Sequence, residues 1–169
     1  SYRDERGLEY IWQGDPAYWA GHSPTLFPVT GRLKAGRHSY QGRDYVLPIH
    51  GFARRKVFRL EEQTADSLSL VLEADEDTLS CYPFRFLLRC RFALDDSGLS
   101  ITREVENPGE GPLYFSLGEH LGFNVGDLGP KLEDCHLTFP SPQSAQAWTL
   151  TPEGLLDHKA PYLDQQTTI

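Results

Sequence analysis

Three short stretches carry the groups best able to move a proton or hold a hydroxyl: Phe27-Pro28-Val29-Thr30-Gly31-Arg32-Leu33, His50-Gly51-Phe52-Ala53-Arg54 and Gly118-Glu119-His120-Leu121-Gly122-Phe123-Asn124. Each sets turn-forming glycine close to a histidine or an arginine. An imidazole titrates near neutral pH and serves as acid or base, while a guanidinium donates several hydrogen bonds at once. That combination suits a substrate rich in hydroxyls. On spacing alone each stretch is a weak signal, because a lone histidine is more often a hydrogen-bonded structural residue than a catalyst. His22, His38, His136 and His158 are read as structural on that ground.

The elements that must position these stretches are strands. Several segments alternate apolar and polar residues with the period of two that a half-buried strand needs, and none shows a sustained helical stripe. Phe84, Phe86, Leu88, Cys90, Phe92 and Leu94 fall on one face, and Arg85, Leu87, Arg89, Arg91 and Ala93 on the other. After the turn Asp95-Asp96-Ser97-Gly98, Leu99, Ile101, Arg103 and Val105 share a face, which predicts an antiparallel hairpin with the preceding run. Residues 57–60 and 67–72 predict two strands before it, and Tyr40 to Tyr45 a small hairpin turning at Gly42. Leu113, Phe115 and Leu117, then 136–139 and 147–150, are later strand candidates. Short strands divided by frequent Gly and Pro turns favour a sandwich or barrel over a parallel α/β sheet. Residues 13–25 form a long loop that carries Tyr18 and Trp19 and follows Trp12, and long ordered loops are often functional.

Composition narrows the partners. At 169 residues one domain is the default, and the formal net charge of −8 with scattered basic residues argues against nucleic acid. No run of about twenty apolar residues exists to span a bilayer, and the N-terminus lacks the pattern of a secretory signal. Cys81, Cys90 and Cys135 form no CxxC pair, which fits a reducing cytoplasm; they are read as small apolar residues without chemistry. The acidic run Glu73 to Asp77 lacks the spacing of a calcium loop and is expected to be a solvated turn. No metal and no cofactor are expected. The chain contains no methionine, which points to a fragment or a processed start.

Taken in order on a β-rich chain, the motifs resemble the galactose mutarotase-like (aldose 1-epimerase) family, and most of all its bacterial branch typified by the lactose-operon X protein. The residues that carry the resemblance are the Trp12 to Trp19 loop, Ser23 to Pro28, Gly31-Arg32, His50 to Arg54, Tyr82-Pro83-Phe84, Asn107, and Gly118 to Asn124. The resemblance implies a β-sandwich (supersandwich) fold and the interconversion of α and β anomers of a free hexose. It maps the general acid onto His120, and onto His50 the histidine that holds the sugar and polarises its ring oxygen. Arg32 matches an arginine that hydrogen-bonds sugar hydroxyls. Asn124 closes the motif around His120, where holding the loop by backbone bonds is as good a reading as contact with sugar. Trp12, Trp19, Phe52 and Phe123 are candidates to pack on a sugar's C–H face, with core packing the alternative for both tryptophans.

The family's general base, a glutamate near its C-terminus, and a sugar-binding aspartate have no counterpart in these 169 residues. None of Glu104, Glu106, Glu119, Glu133 or Glu153 matches the base motif. The chain is therefore expected to be a single mutarotase-like domain over residues 1–169, incomplete at both termini, and weak in catalysis. The natural protein is expected to continue past Ile169, or a second chain to complete the sheets. Two alternatives stay open. One is a hexose-6-phosphate 1-epimerase, in which Arg32, Arg37, Arg54 and Arg55 bind the phosphate, although the last three serve equally as surface charges. The other is a non-catalytic carbohydrate-binding protein of the same fold.

Overall fold

The computed structural model describes residues 1–125, 131, 134–136 and 138–168, with side chains of the last strand given to Tyr162. Two units result, Thr25–Gly118 and Ser1–Pro24 with Glu119–Ile169. Among the described residues no helix is long and apolar enough to cross a membrane.

The central unit opens with β1 (Thr25–Leu26) and the hairpin of β2 (Arg37–Tyr40) and β3 (Arg43–Val46), which turns at Gln41-Gly42 as expected. A four-stranded antiparallel sheet follows, in the order β4 (Arg59–Gln63), β5 (Ser67–Glu73), β6 (Leu87–Asp95) and β7 (Gly98–Glu106). The predicted hairpin forms, its first strand beginning at Leu87 rather than Phe84: Leu88 faces Val105, Cys90 faces Arg103, Phe92 faces Ile101 and Leu94 faces Leu99. The apolar face is covered at the Phe86 to Cys90 end and open towards the turn, where Leu94, Leu99 and Ile101 are exposed. The core beneath gathers Phe27, Leu47, Phe52, Ala53, Leu72, Tyr82, Phe86, Leu88 and Cys90.

Three expectations need correction. The first strand of the sheet starts at Arg59 rather than Val57, which stands almost fully exposed outside it. The alternation at Leu113, Phe115 and Leu117 does not make a strand. Instead the Ser116 N–H donates to Pro28 O at 2.9 Å and the Ser116 Oγ accepts from Thr30 N at 2.8 Å, so a side chain supplies what a ladder would. The acidic run leaves β5 at Glu73 and enters a short helix, α1 (Glu76–Cys81), instead of forming a solvated turn. Asp75 and Thr78 form a reciprocal capping box, and Glu76 and Asp77 lie in the first turn, where the helix dipole favours negative charge. Lys56 Nζ closes the group with ion pairs to Asp77 at 2.6 Å and Asp75 at 3.1 Å.

The other face of the sheet carries the arginines. Register slips between Leu60 and Glu62, and Glu61, at that irregularity, meets Arg89 side-on: Nε to Oε2 at 2.6 Å and Nη2 to Oε1 at 3.0 Å. Ser69 Oγ donates to the same carboxylate at 2.8 Å, and Arg89 Nη1 reaches Glu104 at 2.9 Å across β7. The Arg89 guanidinium first, and Ser69 second, hold the Glu61 carboxyl at about 2 rather than 4.5. A depressed folded value means that this stabilisation is complete above the unfolded value and is lost as pH falls towards the folded one. Glu61→Gln is accordingly expected to melt below the unsubstituted protein at pH 7, with the gap closing between about pH 4.5 and about pH 2. Thermal melts of both proteins over that range check it, and a gap that persists unchanged at the acid end counts against the assignment.

The second unit contains residues 1–24, and after β8 (Gly118–Glu119) it ends in a long antiparallel ribbon, β9 (Thr138–Leu150) with β10 (Leu156–Thr168). The ribbon takes in Thr138-Phe139 and residues 147–150; Leu137 lies outside the described residues. Its register shifts repeatedly, once just beyond Pro161, a residue that has no N–H to give to the ladder. Lys159 Nζ lies 5.4 Å from the Trp148 ring centre, a cation–π contact across the paired strands.

Candidate functional site

His50 sits in a turn whose backbone few residues tolerate. Its φ is +65° and that of Gly51 is +68°, both in the left-handed region. The turn is tied down on two sides. Gly51 bridges Phe27 in parallel, and Phe27 O accepts from Phe52 N at 3.0 Å and Ala53 N at 3.2 Å. On the other side His50 N donates to Gly31 O at 2.9 Å, and Gly31 N donates back to His50 Nδ1 at 3.0 Å.

That last bond sets the chemistry of the ring. A backbone N–H can only donate, so Nδ1 must present its lone pair, and the neutral imidazole carries its hydrogen on Nε2. His50 is thus a half-buried Nε2–H donor, suited to polarising an ether or hydroxyl oxygen. Arg32 follows Gly31 directly and is exposed, as is Arg54 in the 3-10 turn Ala53–Arg55. Phe52, in contrast, is 6 % exposed, and its ring packs among Phe27, Tyr82 and Phe86. It belongs to the core, which corrects the expectation that it packs on sugar.

His120 lies in the other unit, on the motif that meets the N-terminal loop. Ile11 bridges Phe123, Trp12 N donates to Gly122 O at 2.9 Å, and His120 N donates to Pro24 O at 3.2 Å. Both hydrogens of the Asn124 amide are engaged with backbone, Glu9 O and Ile11 O each at 3.1 Å. Of its two readings, holding the loop is the one this geometry supplies. Phe123 is exposed, as a residue offering its ring to a ligand must be.

The loop itself is ordered from within. Asp15 accepts from Ala17 N through its side chain at 2.8 Å and from Trp19 N through its carbonyl at 2.9 Å, a turn of the Asx kind. Trp12 Nε1 donates to Trp19 O at 2.7 Å. The Trp19 indole then lies against the His120 imidazole, ring centres 4.7 Å apart and planes at 33°. The sequence gives no direct sign of this contact. The nearest signal is a pair of glycines, since a Cβ on Gly21 would overlap the Trp19 ring and one on Gly122 would come within 2.9 Å of both Trp12 and Trp19.

His22, His38 and His158 have local partners, His22 lying 3.3 Å from the Gln13 side-chain nitrogen. His38 Nε2 lies 3.0 Å from Cys81 O and its ring stacks on Tyr45, while His158 meets Thr149 and Asp157. Among the described residues no three His, Cys, Asp or Glu side chains come together as metal ligands. Glu133 lies outside the described residues.

Known proteins resemble this chain in sequence and in fold. The chromosomal protein LacX of Lactococcus lactis subsp. lactis is 33% identical over 179 residues, covering all of this chain and 60% of the relative. A galactose mutarotase related enzyme from Lactobacillus acidophilus superposes with a TM-score of 0.86 at 33% identity, over 96% of this chain and 55% of that one. A galactose mutarotase-like protein from Lactobacillus casei gives a TM-score of 0.77 at 26% identity, over 94% of this chain and 58% of its own. The chain therefore spans about 60% of the length of the curated relative it matches. Its mainly β architecture is the galactose mutarotase-like fold. With the aldose 1-epimerase family model matching residues 1–164 as well, the chain belongs to the aldose 1-epimerase family.

Proposed function

We propose that this protein is a mutarotase: it interconverts the α and β anomers of a free hexose by opening and reclosing the ring. The reaction needs a base to take the proton of the anomeric hydroxyl and an acid to protonate the ring oxygen. As the O–H electrons form the C1 carbonyl, the bond from C1 to the ring oxygen breaks and that oxygen takes its proton. Rotation about C1–C2 and closure on the other face give the second anomer. His120 is the acid in this reading. The base is a glutamate outside these 169 residues, in keeping with the length of the relatives.

The observation that carries the proposal is the Gly31 N–H donated to His50 Nδ1 at 3.0 Å, which makes the neutral ring an Nε2–H donor. Such a donor is suited to steadying negative charge that develops on a sugar oxygen. Arg32 is assigned to sugar hydroxyls and Phe123 to the apolar face of the sugar, both being exposed; Asn124 holds the motif. Three cysteines without a disulfide accord with a reducing cytoplasm.

A phosphorylated substrate is the second reading, favoured by the exposure of Arg54 four residues beyond His50. Arg55 is the weaker candidate, since the hollow it lines also contains Asp75 and Asp77, and the Lys56 charge there is already paired with both. Polarimetry or NMR of freshly dissolved α-galactose and α-glucose with the full-length protein tests the proposal. Equilibration faster than buffer supports it, and a rate equal to buffer with retained sugar binding leaves a carbohydrate-binding protein. A preference for glucose 6-phosphate that Arg54→Ala abolishes moves the assignment to the phosphorylated sugar.

A further inference from the structure

We infer that Trp19 is a positioning residue for His120, holding the imidazole in the orientation from which it transfers its proton. The inference rests on His120 being the acid of the proposed reaction. The two ring centres are 4.7 Å apart with planes tilted by 33°, close enough for the indole to restrict rotation of the imidazole about its χ2 bond. His120 itself is exposed, so burial does not fix its ring. Everything around Trp19 fixes that residue instead. Its carbonyl takes the Trp12 indole hydrogen at 2.7 Å, and its N–H is spent on Asp15 O at 2.9 Å. Gly21 and Gly122 leave room for its ring where any Cβ would intrude.

The contact also decides between two uses of the tryptophan. The face of Trp19 that lies on the imidazole is not available to a sugar, which assigns that face to His120. Misplacing a reacting group by about 1 Å can cost about a hundredfold in rate, so the expected loss falls on kcat and leaves KM nearly unchanged. An aromatic ring at the position keeps the contact, whereas a bulky aliphatic side chain fills the space without a π face.

The experiment combines NMR with kinetics on the full-length protein carrying Trp19→Leu, Trp19→Ala or Trp19→Phe. Ring protons of His120 are expected to resonate upfield through the ring current of Trp19, an effect removed in the leucine and alanine variants and partly kept in the phenylalanine variant. Leucine and alanine are expected to lower kcat by about 10- to 100-fold with KM within about twofold, and phenylalanine to recover most of the loss. Three results would overturn the inference: no upfield shift in the unsubstituted protein, kcat untouched in the leucine variant, or a rise in KM alone. The NMR arm stands apart from the reaction, so a protein without mutarotase activity still reports whether Trp19 orders the His120 ring.

Discussion

Replacing His120 with asparagine is expected to lower kcat for anomer exchange by about 10²- to 10⁴-fold, the range in which a well-placed general acid acts. Asparagine keeps a planar polar group of similar reach and can still hydrogen-bond to a sugar oxygen. It cannot give up a proton near neutral pH, so the ring oxygen must take one from water as the bond to C1 breaks. The main-chain anchor of the residue, its N–H on Pro24 O at 3.2 Å, is untouched by the substitution. The Asn124 bonds to Glu9 O and Ile11 O are untouched as well, so the motif keeps its place. KM is therefore expected to change little. Saturation kinetics by polarimetry, with sugar binding followed separately by NMR line broadening, checks the split. A kcat within about threefold of the parent would remove His120 from the reaction, because a loss that small lies below what proton transfer contributes.

What could be read from the sequence depended on how local its physical cause was. The β6–β7 hairpin was legible in its turn and its two faces, though not in where β6 begins, because alternation and the Asp-Asp-Ser-Gly turn both act over neighbouring positions, and they agree. Helix α1 was missed although its capping signal, Asp75 and Thr78 three apart, was present, since six residues are too few to show an apolar stripe. Leu113 to Leu117 has the right alternation, but its hydrogen bonds go to Pro28, Thr30 and the Tyr82 hydroxyl rather than to a neighbouring strand. At the candidate site the same division holds. The three motifs announced themselves by residue type. The bond that sets the His50 tautomer spans 19 residues, and the tilted contact of Trp19 with His120 spans about a hundred, so no local pattern encodes either. Phe52 shows the limit most plainly: beside His50-Gly51 it looks like a sugar platform, and only the fold reveals that its ring points into the core.

Adding one methyl group at Gly51 is expected to destabilise the protein by more than about 4 kcal/mol, an exceptional size for one substitution that here has overpacking of the core as its cause. Two effects combine there. An alanine at φ +68° bears the strain of the left-handed region, about 1–2 kcal/mol. Its Cβ would also overlap the carbonyl group of Phe27 and lie 2.7 Å from Pro28 Cδ. Phe27 is fully buried and its carbonyl receives Phe52 N and Ala53 N, so it cannot yield without opening the core around Phe86 and Tyr82. Gly31 supplies the comparison within the same site. Its φ is +79°, yet a Cβ placed there meets nothing within 4 Å. Gly31→Ala should therefore show the strain alone, about 1–2 kcal/mol, and keep the N–H that His50 Nδ1 accepts. Urea unfolding of both variants separates the terms. If they cost the same, overlap with Phe27 contributes nothing and the close approach of the two chain segments is not what holds the His50 turn. If Gly51→Ala is far the costlier, the imidazole owes its position to a contact between Gly51 and Phe27 that has room for hydrogen and nothing larger.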